Sequence, residues 1–387
     1  MTFRPRVLVA PLDWGLGHAS RCIPLIELLL RQPVQVVLGG AGDSLLLLRR
    51  RYPDLPFYEL PAYDVRYPRH GGLVAAVLWQ IPRLRRVIRK EHAVLEALAA
   101  EGQIDAVISD NRYGLWSAQI PSVCVCHQIA PLPPPWIAFL QPLVRRMHQR
   151  QLRRFREVWI PDREGEDALA GRLAHGFPLP DNYHFVGPLS RFAGGATAGV
   201  WSRADLPEQV PEVAAVLSGP EPQRSMLEAA LLRSLPQGSW IVQGLPAEQD
   251  LRLVQGIWLV PFLETADLRR LLCGVKRLIA RPGYSSLMDF AALGIRNVTL
   301  IPTPGQTEQL YLAKWLSAQN IACYVNQPAI NVQQLAAASG GGKGFHAKKS
   351  EAGPENEAER FVINFLYCIF ENYQSLSLTT SSSQQHL

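Results

Sequence analysis

Arg281, Ser285, Ser286, Asp289, Glu308 and Gln309 are the residues that could do chemistry in ARPGYSSLMDFAALGIRNVTLIPTPGQTEQ, which runs from Ala280 to Gln309. An apolar run, Val275 to Ala280, reads as a buried parallel strand, and Pro282-Gly283 turns the chain. Ser285 and Ser286 are expected to open a helix that carries Asp289 and stops at Gly294. A strand–Gly–Ser–helix junction aims backbone N–H groups and the positive end of the helix dipole at one spot, which suits a diphosphate. Gly283 allows close backbone approach. A carboxylate such as Asp289 can take two adjacent ribose hydroxyls, and Glu308-Gln309 offers acceptors and a donor side by side, as a sugar ring needs. Locally, an ordinary β-α-β unit with a Ser N-cap and a Gly C-cap fits as well. The second candidate is His18, behind the Gly-rich turn DWGLGH with Gly15 and Gly17. It is either a general base or a residue at a helix N-terminus. Asp13, five residues earlier, is a candidate partner or a rival base on the acceptor side.

These residues carry a resemblance. Gly283, the acid at Asp289, Gly294 and the pair Glu308-Gln309 are similar in spacing to the donor-binding signature of GT-B glycosyltransferases. The MurG-type N-acetylglucosaminyltransferases and the UDP-sugar glycosyltransferases of small-molecule glycosylation are the nearest in pattern. The resemblance implies that Asp289 holds the ribose and Glu308-Gln309 the sugar hydroxyls. Two departures stand out: Asp289 replaces the usual Glu, and Arg296-Asn297 stand where a Pro is usual. The GLGH turn resembles the Gly-Gly-His loop of the MurG type, which lies in the interdomain cleft. IDAVISDNRYGLWSAQIPSVCVCHQ, from Ile104, resembles a stretch of the UDP-sugar transferases. There the Asp after the strand bonds the catalytic His, which implies the pair His18–Asp110; a helix N-cap or Asx turn at Asp110 is the local alternative. His127-Gln128, at the end of the strand Ser122 to Cys126, resembles a His-containing turn near the acceptor. Ser218, Gly219 and Gln223 match part of the MurG-type phosphate loop, although Pro220 and Pro222 remove two N–H donors. Phe262-Leu263 stand where relatives cover the uracil ring, or are core residues. Arg281 and the helix at Ser285-Ser286 are expected to stabilise the departing diphosphate.

The elements that must position these residues follow from periodicity. Arg6 to Pro11, Val34 to Leu38, Phe57 to Leu60, Ile104 to Ser109, Ser122 to Cys126, Val158 to Pro161 and His184 to Val186 read as strands of a first unit. Val213 to Leu217, Trp240 to Gln243, Ile257 to Val260, Val275 to Ala280, Val298 to Ile301 and Ile321 to Val325 read as strands of a second. A strand, a Gly loop and a helix open both units, but Ser20 stands where a dinucleotide fingerprint needs its third Gly, so NAD binding is a weak reading. A helix is expected over about Leu73 to Ala100, kinked or split by Pro82. Residues 61–72 form a Tyr-, Arg- and Gly-rich loop that suits the acceptor side or plain surface.

The expected class is therefore α/β: two Rossmann-like parallel-sheet domains facing a cleft, the GT-B arrangement. The domains are read as 1–187 for the acceptor, a linker at 188–200, and 201–356 for the nucleotide sugar. A helix at 357–374 crosses back to the first domain, and 375–387 is a disordered tail. The implied function is transfer of a hexose or N-acetylhexosamine from a UDP-sugar to an acceptor hydroxyl, inverting and metal-independent, with no resident cofactor because the UDP-sugar is a co-substrate. A UDP-sugar epimerase or hydrolase of the same fold, or a non-catalytic nucleotide-sugar-binding protein, are the alternatives.

Composition bounds the partners. The chain has 387 residues, 48% hydrophobic and 19% charged, as a globular protein with large cores has. No apolar run approaches the ~20 residues of a membrane span, and the first one is too short for a signal peptide. Six cysteines without CxxC or zinc spacing read as reduced, mostly buried thiols of a cytoplasmic protein. Residues 1–190 hold 23 Lys and Arg against 17 Asp and Glu, while 191–387 hold 16 against 16, so the whole excess of +6 lies in the first half. Within it, WIAFLQPLVRRMHQRQLRRFR (136–156) mixes apolar residues with arginines. Such a segment suits an anionic lipid face on the inner side of the cytoplasmic membrane, and equally a solvated helix. The acceptor is accordingly lipid-linked or a small molecule. No nucleic-acid motif is present.

Overall fold

The computed structural model describes residues 4–65, 73–165, 168–193, 201–219, 221–338, 342–345 and 357–370. Its first sheet is built from β1 (Arg6–Pro11), β2 (Gln35–Gly40), β3 (Phe57–Glu59), β4 (Ala106–Asp110), β5 (Ser122–Val125), β6 (Glu157–Ile160) and β7 (Tyr183–Phe185), with helices α1 (Leu16–Leu30), α2 (Gly42–Arg51), α3 (Leu73–Ala100) and α4 (Gln141–Leu152). The second has β8 (Val213–Val216), β9 (Trp240–Val242), β10 (Arg252–Val254), β11 (Ile257–Val260), β12 (Arg277–Ala280), β13 (Val298–Leu300) and β14 (Cys323–Tyr324), with α5 (Gln223–Leu232), α6 (Thr265–Gly274), α7 (Tyr284–Leu293), α8 (Thr307–Ala318) and α9 (Val332–Ala337). Residues 357–370 form a last helix, α10.

Strand order is β3-β2-β1-β4-β5-β6-β7 in the first sheet and β10-β11-β9-β8-β12-β13-β14 in the second. Every pairing is parallel except β10 with β11. The continuous apolar runs suit strands covered on both faces. Alternation then sorts them: Val7 and Val9 of β1 join a central core shared with α1, α7 and α10, while Leu8 and Ala10 face α3 through Leu95. In β12, Leu278 and Ala280 join the central core and Ile279 a separate cluster with Leu227 and Leu231 of α5. The order in which successive strands are added reverses between β1 and β4, and again between β8 and β12. In such sheets the crevice at the carboxyl ends of the switch-point strands is where ligands bind. The segments after β1, β8 and β12 carry Asp13 to His18, Ser218-Gly219 and Arg281 to Asp289, and β4 itself ends on Asp110.

α10 returns to the first sheet as expected. Phe361 and Phe365 lie against Trp159 of β6, ring centroids 6.4 and 5.9 Å apart, and Phe361 stacks on His184 of β7 at 5.2 Å.

Several local expectations need correction. Pro82 does not split α3, which runs unbroken over 28 residues; Pro82 is exposed, where a helix tolerates the lost hydrogen bond best. The 136–156 segment is not one helix. A 3-10 turn over Pro135–Leu140 precedes α4, whose new start is set by Pro142 in its first turn. α7 has no Ser cap: it begins at Tyr284 with Gly283 as N-cap and no side-chain cap bond. β10 and α6 were not anticipated. Of the loop 61–72, residues from 66 on lie outside the described residues, as do most of 339–356 and all of 375–387.

Candidate active site

β1 ends beside β4, and the Leu12 N–H bonds the Asp110 carbonyl at 2.9 Å. Gly15 then takes φ +88, a backbone that favours glycine, and starts α1. His18 falls in the first turn, so its ring reaches back to β4: Nδ1 lies 3.0 Å from Asp110 Oδ1. Arg21, one turn later on the same face, donates from Nε and Nη2 to both oxygens of Asp110. The Arg21 and Asp110 side chains are 1% and 0% exposed, so each is the charge that makes the other tolerable there. Burial would raise the Asp110 pKa, but Arg21 and His18 together hold it at about 2. Burial lowers that of His18; Asp110 opposes this and Arg21 adds to it, so the imidazole is neutral at pH 7. Its Nδ1 has Asp110 on one side and Arg21 Nη2 on the other at 2.8 Å. Asp110 Oδ1 can accept from Nδ1 and Arg21 Nη2 can donate to it, so both neutral tautomers find a partner there, unlike at His127; only the tautomer protonated on Nδ1 leaves Nε2 the lone pair of a base.

Asp13 does not reach for His18. Its Oδ2 accepts the backbone N–H groups of Tyr63 and Asp64, at 2.9 and 3.4 Å, and so pins the chain after β3. That chain is held again by a buried network in which Arg112 Nε donates to Glu91 at 2.5 Å and Tyr63 Oη donates to Glu91 at 2.9 Å.

The second sheet meets this site directly. His127, after β5, has Nε2 2.7 Å from Glu308 Oε1 of α8, and its ring stacks on Tyr284 of α7 at 4.1 Å with planes 1° apart. Tyr284 Oη in turn donates to the Pro161 carbonyl at 3.0 Å. Ser285 Oγ donates to the Gly17 carbonyl at 2.7 Å, and a Cβ at Gly17 would lie 3.2 Å from Ser285 Oγ, so a side chain there would push Ser285 by a few tenths of an ångström. Burial pushes the Glu308 carboxyl up, but His127, Arg21 and His18 outweigh it and keep it below the usual carboxylate range. Gln128 is half-buried next to His127.

Other sequence-predicted residues turn elsewhere. Asp289 is buried, accepting from Ser190 Oγ at 2.7 Å and Arg191 Nε at 3.1 Å, both in the segment after β7. Burial raises its pKa despite the two donors. Arg281 is 1% exposed and donates to the Ile301 and Gln223 carbonyls at 3.0 and 2.9 Å; burial pushes its pKa down to about 9. Gln309 Oε1 accepts the Thr303 N–H at 2.8 Å. Ser218 and Gly219, the latter at φ +99, follow β8, and Gln223 is buried at the start of α5. Leu263 is core at 1% exposure, while Phe262 is half-buried with the Arg50 guanidinium 5.9 Å from its ring centroid. At Gly283 a Cβ would meet only Ser286 Oγ at 4.0 Å, so the backbone there is open. Thus His18, Asp110, His127, Glu308, Gly17 and Ser285 come together, and Asp289, Arg281 and Gln309 face protein. Arg21, Tyr284, Ser190 and Arg191 escaped the sequence reading. Only Arg21 left a signal there, its spacing of three from His18 in a helix.

No protein-family model matches this sequence, and no curated protein matches it. Solved structures do. A UDP-glucosyltransferase from Polygonum tinctorium capable of glucosylating indoxyl aligns over 94% of this chain and 99% of its own, with a TM-score of 0.57 and 13% identity. The glycotransferase of kitacinnamycin aligns over 97% and 96%, at 0.54 and 12%. The fold is GT-B. A third GT-B structure, Phytolacca americana UGT2 complexed with UDP-2-fluoro-glucose and pterostilbene, aligns over 99% and 100%, at 0.52 and 14%. The two-sheet GT-B arrangement expected from the motif spacing is therefore present along nearly the whole chain.

Proposed function

We propose that this chain is a glycosyltransferase that moves a hexose or N-acetylhexosamine from a UDP-sugar to an acceptor hydroxyl, with inversion and without a metal ion. The observation that carries the reading is the His18–Asp110 pair at the first switch point, with α8 and α7 brought against its neighbours through Glu308 on His127 and Ser285 on Gly17. His18 Nε2 takes the hydroxyl proton as the acceptor oxygen attacks the anomeric carbon, and the bond from that carbon to the diphosphate oxygen breaks. Asp110 stabilises the imidazolium as it forms. The α7 N-terminus, which no side chain caps, stabilises charge developing on the leaving UDP. Glu308 holds sugar hydroxyls. For Asp289 to hold the ribose, Ser190 and Arg191 must release it, so donor binding and a shift of the segment after β7 go together. One structural neighbour is a UDP-glucosyltransferase and another is complexed with UDP-2-fluoro-glucose, which supports the choice of donor.

Calorimetric titration with UDP, UDP-GlcNAc, UDP-Glc and NADH, with and without EDTA, on wild type and Asp289→Ala tests this. Metal-independent uridine-nucleotide binding, weakened by Asp289→Ala, is the expected result. No binding to any uridine nucleotide would remove the donor site and the reading with it. Sugar turnover without an acceptor would point to an epimerase or hydrolase, and tight binding without turnover to a non-catalytic protein.

A lipid-linked acceptor is supported by the first domain's surface. Trp136, Phe139, Leu143 and Met147 are exposed along the 3-10 turn and α4, at 70, 76, 54 and 56%. Leu152 is the one buried residue of α4, and Arg145, Arg146 and Arg150 lie on the same helix. Apolar side chains flanked by arginines suit an anionic bilayer surface. No described helix is long and apolar enough to cross a membrane. Co-sedimentation with vesicles containing phosphatidylglycerol, lost in Trp136→Ser/Phe139→Ser and absent with pure phosphatidylcholine, is expected. Equal recovery in the supernatant with both vesicle types would favour a small-molecule acceptor.

A further inference from the structure

Arg21 touches both histidines of the site as well as Asp110. Besides its bonds to the two carboxylate oxygens, Nη1 lies 3.0 Å from His127 Nδ1. A guanidinium only donates. His127 Nδ1 must therefore hold its lone pair, and the ring proton sits on Nε2, where Glu308 Oε1 accepts it at 2.7 Å. Stacking against Tyr284, with planes 1° apart, holds the ring in the orientation that serves both contacts. The order Asp110–Arg21–His127–Glu308 thus runs from the first sheet to α8 of the second with the direction of each hydrogen bond decided. A fixed fork can do this where a lysine cannot: it grips both carboxylate oxygens and still has Nη1 to spare. A buried ion pair is replaceable by apolar packing at little cost to stability, so such a pair is better explained by what it holds in place.

We infer that Arg21 is a positioning residue: anchored on Asp110, it fixes His127 as the Nε2–H tautomer and through it orients Glu308, so that one side chain aligns the base of the first domain with the sugar-facing carboxylate of the second. What the two ends do rests on the transferase reading; the bonding order does not. His127, placed on the acceptor side by sequence, becomes a support for the donor-side carboxylate.

The test is a long-range 1H–15N correlation of histidine side chains at pH 7.5 on uniformly labelled full-length protein. Wild type should show His127 as the Nε2–H tautomer, and Glu308→Gln should leave it so. Because Glu308 also accepts from Nε2–H, Arg21 is read in a background without that acceptor: Glu308→Ala should keep the tautomer and Arg21→Met/Glu308→Ala should lose it; if the double variant is unfolded, Arg21→Lys/Glu308→Ala, which keeps the charge without the fork, should give a mixture of tautomers. A wild-type His127 protonated on Nδ1, or on both nitrogens, overturns the inference whatever the variants do, and so does an unchanged tautomer in folded Arg21→Met/Glu308→Ala. Where transfer is measurable, Arg21→Lys should lower kcat roughly tenfold or more and raise KM for the donor, while a merely structural Arg21 would move only the melting temperature. If uridine nucleotides do not bind but the tautomer result holds, the transferase reading falls and the positioning role stands. Transfer activity with an Nδ1–H His127 gives the reverse.

Discussion

His18 is neutral at pH 7 because burial and the Arg21 cation both disfavour its charged form more than Asp110 favours it. A base of this kind works to lower pH than a free imidazole, so the acid limb of kcat/KM should lie below the ordinary 6.5. A limb at or above that value in the pH–rate profile would speak against His18. His18→Ala should cut turnover about 10²–10⁴-fold and leave donor affinity nearly unchanged, which single-turnover kinetics and calorimetry separate. Asp110 makes a matching statement about stability. Its folded pKa of about 2 lies below the ordinary 3.8, so the unfolded chain binds the proton first. Its contribution is present above that ordinary value and lost as pH falls through the folded one. Asp110→Asn should flatten the acid arm of the denaturation curve in this window.

At the scale of elements, the two ends of α7 do different work. Gly283 leaves the N-terminus uncapped by any side chain, and Gly294 closes the helix at φ 63, the left-handed cap. Gly294→Ala should cost about 1 kcal/mol in urea denaturation, with the site unchanged. α4 is anchored by His148, whose Nε2 accepts from Tyr113 Oη or donates to it at 2.9 Å. Burial pushes the His148 pKa down to about 4, against a smaller raising effect of the Ile129 carbonyl. Between that value and the ordinary 6.5 the unfolded chain binds the extra proton, so stability should rise with pH across this window. Denaturation midpoints at the two ends of the window should differ less in His148→Gln than in wild type.

Over the whole molecule, α10 ties the chain's end back to the first sheet. Phe365 is fully buried, edge-on to Trp159. Phe365→Ala should cost about 3–5 kcal/mol, read from thermal and chemical unfolding together, as large core truncations do. Much of this architecture was legible in the sequence. The central strands are continuous apolar runs, and the Gly turns after β1 and β12 are local signals that depend on neighbours in the chain. Local pattern was enough for the two-sheet class, the strand–turn–helix units and the residue types held at each switch point. Edge elements such as β10, with Arg252 and Leu253 exposed, carry no such run and were missed. Which polar groups meet depends on packing instead. Arg21 and Asp110 are 89 residues apart, His127 and Glu308 181, and Asp289 finds Ser190 across 99. A buried charge takes whatever partner the packed sheets bring within hydrogen-bond reach, and that reach is set by strand order and helix rotation, which no local spacing encodes.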